Sequence, residues 1–517
     1  MNHPAALSNG TTVSEKRKLL SNIRERRAKA GKLVAGVAAA CTSDTFKAPV
    51  SQSRPPCILK QATRHLKNPG LVSLGGGLPS SEYFPFYECT FRVPIPPHFS
   101  ESDAISPDSA TGQTITIGKY DVQAGISECD LSISLNYGQA TGSPPLIRFI
   151  TEHTELVYNP PYADWQVCPT VGSTGALEQT IRMFCDRERG DSILTEEYSF
   201  STALETLVPQ GIKPFGIQMD DQGPIPESLD EMLSSWDEKA REARKPHLLY
   251  TVPSGQNPTG VTQSLERRRC IYALCQKHDM YIVEDEPYYF LQMPPYQAKQ
   301  GSDQQAPEDI ESFLAGLIPS YLTLDVDGRV LRMDSFSKVL VPGSRVGWIT
   351  ASAQVVERFI RHAEVANQGP SGISQIMLWK LLDETWGHEG YLTWLIDLKN
   401  NYTKRRDALL AACDEFLPKT VVSWTPPTTG MFLWLKLDYS QHPEYPSRPI
   451  EDIEGEIFEQ AVQNGVLCAR GSWFRTEPST PASGMFFRAT FASASAKAMG
   501  IAIQRLSQAI RESYRIE

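Results

Sequence analysis

The sequence predicts an α/β fold: a large domain with a mostly parallel sheet flanked by helices, followed by a smaller α+β domain. Three observations lead there. From about 140 to 350, short apolar or β-branched runs alternate with longer helix-period runs, the pattern of a parallel sheet with crossover helices. Near 375 the pattern changes to one long helical run followed by shorter strand-like pieces. The 517 residues, 41% hydrophobic and 21% charged, suffice for sizeable cores and exclude disorder over most of the length. At about 150 residues per domain, two large units or three smaller ones are expected.

In chain order, residues 1–50 read as an N-terminal arm with a basic run between 15 and 32, a solvated and helical stretch by composition. Residues 51–135 hold the loop Gly75-Gly76-Gly77-Leu78-Pro79 and then a Pro- and Ser-rich stretch expected to be irregular. The large domain spans 136–372. Its strands are expected at 167–171, 192–194, 247–252, 281–284, 330–333 and 346–349, and its helices at 175–187, 263–277 and 354–367. The polar stretches 219–245 and 296–320 read as exposed linkers. The small domain spans 373–517, with a helical run over 374–413, strands at 430–437, 465–469 and 485–491, and a closing helix over 496–514.

Charge and cysteines narrow the function classes. The net charge of −10 argues against a general nucleic-acid binder. No uninterrupted apolar run reaches about 18 residues, so no membrane span is expected. The start lacks the charged-then-apolar order of a secretory signal, and Glu15 and Glu25 weaken a mitochondrial transit reading of the basic arm. The expected compartment is the cytoplasm. None of the ten cysteines forms a CxxC pair, and Cys270 and Cys275 are poorly spaced for a shared metal, so reduced thiols and no metal site are expected.

Four motifs carry chemistry. In Gly172-Ser173-Thr174-Gly175 a strand gives way to a helix, which suits a phosphate at the helix N-terminus. Taken alone, that motif is better explained by ordinary capping by Ser173 or Thr174. Pro253-Ser254-Gly255-Gln256-Asn257-Pro258-Thr259-Gly260 is a rigid loop at a strand's C-terminal edge, where open α/β sheets bind ligands; the plain alternative is a turn. In Glu284-Asp285-Glu286-Pro287-Tyr288 three carboxylates crowd a strand end. At least one needs a cationic partner or a shifted pKa. In Ser335-Phe336-Ser337-Lys338, with Arg345 seven residues on, hydroxyls and a guanidinium can hold a phosphate. That leaves Lys338 to form a Schiff base with a carbonyl. A lone lysine is more often a surface group, but that does not account for the Ser-x-Ser-Lys setting.

Taken together in this order, the motifs resemble the fold-type-I pyridoxal-phosphate aminotransferases, and most closely the fungal aromatic and animal kynurenine/2-aminoadipate subgroup. The resemblance runs from about residue 71 to near the C-terminus. It implies pyridoxal 5'-phosphate as cofactor, joined to Lys338, with Asp285 paired to the pyridinium nitrogen. Asn257 and Tyr288 would hydrogen-bond the ring's phenolate oxygen. Ser173, Thr174, Ser335, Ser337 and Arg345 would cradle the phosphate. Tyr137 would reach the phosphate of a neighbouring subunit in a homodimer. Arg488 would clamp the substrate α-carboxylate, and Gly77 would lie in a loop closing over substrate. One departure stands out: Glu196-Glu197-Tyr198-Ser199 is followed by Phe200, where the family often has a stacking tyrosine. Phe200 can stack on the cofactor without a hydroxyl.

The implied reaction moves the amino group of an aromatic L-amino acid, or of kynurenine or 2-aminoadipate, to 2-oxoglutarate or another 2-oxo acid. Ping-pong kinetics are its fingerprint. A lyase on the same cofactor, or a transaminase specialised for one biosynthetic precursor, is the alternative, because fold does not fix reaction type. A DNA-binding regulator with an aminotransferase-like domain fits poorly, since 50 residues are too few for its helix-turn-helix domain.

Overall fold

A computed structural model describes residues 47–57, 77–101, 111–297 and 308–517. The basic run of the arm and Gly75-Gly76 lie outside the described residues. The chain divides into two compact units. One takes the chain to Asp186 together with Ile310–Leu314 and Pro319–Asp397. The other takes Arg187–Asp309, Ala315–Ile318 and Leu398–Glu517.

In the first unit, Gly347–Ser352 is the middle of three strands. It runs antiparallel to Trp165–Thr170, with Gly347 opposite Thr170, and to Val330–Ser335, with Gly347 opposite Ser335. Val330–Ser335 and Gly347–Ser352 are buried throughout, and the charged Arg332 and Asp334 are accommodated there by pairing with each other at 2.8 Å. The helices Gly172–Phe184 and Ala353–Ala363 are joined by the Gln179 Nε2 bond to Phe359 O at 2.7 Å. The stretch expected to be irregular holds a hairpin instead: Glu88–Pro94 pairs antiparallel with Gly112–Gly118. The helical run after 370 is one continuous path in three parts, Gly372–Trp379, a wider π turn over Lys380–Trp386, and Gly387–Phe416. At the π turn, Asp383 accepts from Trp379 Nε1 (2.8 Å) and Arg148 Nη2 (2.6 Å).

The second unit holds four parallel strands in the order Lys213–Ile217, Ser192–Glu196, Leu248–Thr251, Tyr281–Asp285. The last three are buried at every residue. Helix Leu265–Lys277 starts where Ser264 Oγ accepts the Arg267 N–H. The expected linker 219–245 is structured. It contains the short pair Met219–Asp220 and Gly223–Pro224 and the helix Pro226–Ser234, whose proline sits in the first turn. Likewise, Ile310–Gly316 is a helix inside the second expected linker. A four-stranded antiparallel sheet runs Val422–Ser423, Phe432–Leu437, Met485–Thr490, Ala469–Arg470. The strand expected at 465–469 thus lies at Ala469–Arg470, because Gly465 takes φ +81° and ends the preceding helix. Helix Ala496–Tyr514 forms as expected, capped by Ser495.

Candidate active-site residues

The anion-binding elements lie in the first unit. Helix Gly172–Phe184 begins three residues earlier than the sequence suggests. Val171 occupies its N-cap position and no side chain caps it. Capping therefore does not explain Ser173 and Thr174. The Ser173 hydroxyl is buried with no hydrogen-bond partner, and Thr174 is exposed. Gly172 has φ +73°, and a Cβ there would collide with Arg345 Nη2. Only glycine lets the guanidinium lie against this helix start. Arg345 Nη1 donates to Ser337 Oγ (3.3 Å) and Pro342 O (3.0 Å), and Nη2 to Val171 O (3.4 Å). Ser335 Oγ accepts the Ser337 N–H (3.1 Å) and bonds the Ser337 hydroxyl (2.8 Å). No carboxylate among the described residues pairs with Arg345. Helix N–H groups, three hydroxyls and a cation without a counter-ion make a receptor for a phosphate.

Lys338 follows directly on this cradle and is half-buried. Its neighbours are pinned on both sides. The Phe336 ring packs on Trp348 at 4.9 Å, and Trp394 Nε1 donates to Val339 O at 2.6 Å. The lysine thus projects from a fixed backbone. Tyr137 is 67% exposed on the wall of an open cavity of about 1670 Å³. Asn136 Nδ2 donates to Pro79 O (3.1 Å), which ties this turn to the loop that follows Gly77. Gly77 is exposed, with open space where a Cβ would stand.

The second unit holds the remaining candidates. Asp285 ends its strand, is 6% exposed, and accepts the Tyr250 hydroxyl at 3.0 Å. Tyr288 is buried beside it. Burial, and then the Asp285 charge, push its phenol well above the usual tyrosine range, so it stays protonated. Of the three crowded carboxylates, Glu286 meets a buried cation. Arg268, fully buried, lies 3.5 Å from it. Arg268 also donates to Ser254 Oγ (2.8 Å), Pro253 O (3.3 Å) and Gln263 O (3.2 Å). That network moors the loop carrying Asn257.

Asn257 is 7% exposed, and its Oδ1 accepts from Arg488 Nη1 at 2.6 Å. The Arg488 guanidinium carbon lies 4.4 Å from the Phe432 ring centre and 4.6 Å from that of Phe474. No carboxylate among the described residues pairs with it, and burial lowers its pKa. A cation left without a counter-ion, with aromatic rings on it and one edge on an amide, is set to fork an incoming carboxylate. Phe200 is half-buried at the N-cap of helix Ser201–Leu207. The nearby Tyr198 is committed elsewhere. Its hydroxyl bonds Ser483 (3.1 Å), and its ring meets Trp434 and Phe486 edge-on.

Sequence reasoning missed Tyr250, Arg268, Phe432 and Phe474. Tyr250 and Arg268 left a weak signal, since both flank the Asn257 motif. The two phenylalanines left none: Phe432 stands in an apolar run that reads as core, and Phe474 stands outside every motif.

A candidate phosphate cradle beside a pinned lysine, on an α/β scaffold, fits the fold-type-I pyridoxal-phosphate enzymes. More particularly, residues 130–506 match the model of the family described as aminotransferase class I and II, and the chain belongs to that family. It is 43% identical over 458 residues to an aromatic amino acid aminotransferase of Schizosaccharomyces pombe, covering 88% of this chain and 94% of that one. It is 35% identical over 480 residues to the mitochondrial kynurenine/alpha-aminoadipate aminotransferase of Bos taurus, covering 90% and 99%. A crystal structure of an aminotransferase from Candida albicans superposes with a TM-score of 0.84 at 41% identity, covering 91% of this chain and 98% of that one. The family implies pyridoxal phosphate as cofactor. The buried, unbonded Ser173 hydroxyl and the Gly172 opening beside Arg345 fit its phosphate.

Proposed function

We propose that this aminotransferase takes the amino group from an aromatic L-amino acid (phenylalanine, tyrosine or tryptophan), with kynurenine or 2-aminoadipate as further donors, and gives it to 2-oxoglutarate or another 2-oxo acid. The names of its relatives support the donor class. The observation that carries the reading is Arg488, a guanidinium on two phenyl rings, bonded to Asn257 and without a carboxylate partner among the described residues.

Pyridoxal phosphate, when bound, supplies the aldehyde that takes the amino group and the ring that accepts the α-carbon's electrons. Ser173, Thr174, Ser335, Ser337 and Arg345 would hold its phosphate. The Asp285 carboxylate would keep a proton on the ring nitrogen, while Asn257 and Tyr288 would donate to the phenolate oxygen. Arg488 would orient the substrate by its α-carboxylate, so that the Lys338 amine could remove the α-proton and return it on the far side of the transferred nitrogen, a 1,3-shift. Phe200 would stack on the ring, and Gly77 would belong to the loop that closes on the substrate.

The same reading assigns residues 136–372 to a cofactor-binding domain, 373–517 to a small domain and 1–50 to an arm. It makes the enzyme a cytoplasmic homodimer in which Tyr137 serves the partner subunit's phosphate. The exposure of Tyr137, with Ile126 (71%) and Ile133 (52%) on the same cavity wall, supports that surface as the dimer contact.

The test is to follow cofactor absorption in the purified holoenzyme as phenylalanine, then 2-aminoadipate, is added without a 2-oxo acid. Conversion to the pyridoxamine form, reversed by 2-oxoglutarate, is expected, and the extent of conversion ranks the donors. A cofactor band that neither donor changes would overturn the donor class.

A further inference from the structure

Asp285 is held by a residue from the neighbouring strand. Leu248–Thr251 and Tyr281–Asp285 are parallel, with Tyr250 opposite Val283 and Thr251 opposite Glu284. Side chains alternate along a strand, so Tyr250, Val283 and Asp285 share one face. Asp285 stands two residues past Val283, about 7 Å along the strand. A tyrosine side chain spans that gap, and the Tyr250 hydroxyl meets Asp285 Oδ2 at 3.0 Å.

We propose that Tyr250 is a positioning residue for the reaction. Its hydroxyl fixes the rotamer of the Asp285 carboxylate and supplies a charge-assisted hydrogen bond that keeps it ionised. This rests on the reading of Asp285 as the partner of the ring nitrogen.

Two features make the hydroxyl a fixed anchor. Tyr250 is 2% exposed. The backbone beside it is locked from the other face of the strand: Glu196 Oε1 accepts the Thr251 hydroxyl (2.6 Å) and the Val252 N–H (3.1 Å), while Gln263 Nε2 donates to Thr251 Oγ1 (2.9 Å). Burial, Asp285, Glu196 and Tyr288 all favour the protonated phenol at Tyr250, so it donates and does not accept.

The experiment uses the full chain reconstituted with pyridoxal phosphate. Tyr250→Phe keeps the ring packing and removes only the donor. Its kcat for phenylalanine should fall about tenfold, as for a lost hydrogen bond to a charged group, with KM within about twofold. The absorption maximum of the bound cofactor should move, and the thermal midpoint of the apoprotein should stay near that of the wild type. A purely structural tyrosine would move the midpoint and leave the spectrum alone.

The second arm is Asp285→Asn with and without Tyr250→Phe. If Tyr250 acts through Asp285, adding the phenylalanine change to Asp285→Asn costs no more than about twofold. Wild-type kcat and spectrum in Tyr250→Phe, or an undiminished loss in the Asp285→Asn background, overturns the positioning role alone. Wild-type turnover in Asp285→Asn overturns the reading beneath it as well.

Discussion

The two groups of candidate residues are built in opposite ways. The cradle in the first unit draws on two short segments, Val171 to Thr174 and Ser335 to Arg345. It uses backbone N–H groups, small hydroxyls and an exposed guanidinium. The group in the second unit is dry and assembled over long sequence distances. Arg488 meets Asn257 across 231 positions, and Asp285 meets Tyr250 across 35. The difference follows the ligands. A phosphate dianion needs many donors and tolerates water nearby. A ring nitrogen and an α-carboxylate must be held in one orientation, and hydrogen bonds do that best where water is excluded.

The comparison can be broken at several points. The largest effect is expected from Lys338→Ala, which removes the amine proposed to transfer the proton beside the cradle. Turnover should fall by at least about 10³-fold while equilibrium dialysis still detects bound cofactor. A variant with near wild-type turnover would take Lys338 out of the chemistry. Next is Arg488→Ala in the dry group. It should lower kcat/KM for phenylalanine roughly 10²-fold, about 3 kcal/mol of lost charge-assisted bonding, and leave the cofactor's dissociation constant within about threefold. If cofactor affinity drops instead and substrate dependence does not, the division between the two groups is wrong.

Smaller effects sharpen the cradle. Gly172→Ala meets both a positive φ and the Arg345 guanidinium. It should weaken pyridoxal-phosphate binding about tenfold, roughly the cost of one strained residue, as read by fluorescence titration of the apoprotein. Ser173→Ala should be the mildest. It removes a buried hydroxyl that has no partner in the protein. The apoprotein's thermal midpoint should hold or rise slightly, while cofactor affinity falls a few-fold, about 1 kcal/mol. A lower apoprotein midpoint with unchanged affinity would show that the hydroxyl serves the fold and not the phosphate.

Legibility in the sequence followed the same divide. Ser335-Phe336-Ser337-Lys338 and Gly172-Ser173-Thr174 could be read directly, because each is a contiguous motif, although Arg345 meets Val171 across 174 positions. The hairpin Glu88–Pro94 with Gly112–Gly118 could not. Its residues alternate, with Ile115 and Ile117 buried beside exposed Thr114 and Thr116, but most are exposed or half-buried, so the apolar face is confined to a few positions. The segment 219–245 looked like a linker because helix Pro226–Ser234 buries only Leu229 and Leu233. The start of helix Gly172–Phe184 was placed late because a positive-φ glycine opens it in place of a capping hydroxyl.

What the sequence by itself determined is the inventory: an α/β chain with a lysine, an aspartate, an asparagine and two arginines in an order that points to one cofactor chemistry. Local propensity and short-range bonding suffice for that, since each motif closes on itself within a few residues. Only the tertiary structure decided which of three adjacent carboxylates Arg268 takes, that Tyr250 holds Asp285, and that Phe432 and Phe474 lie against Arg488. Those outcomes depend on strand register and on which buried groups are brought within about 3–5 Å of one another, and that is fixed only when distant segments pack.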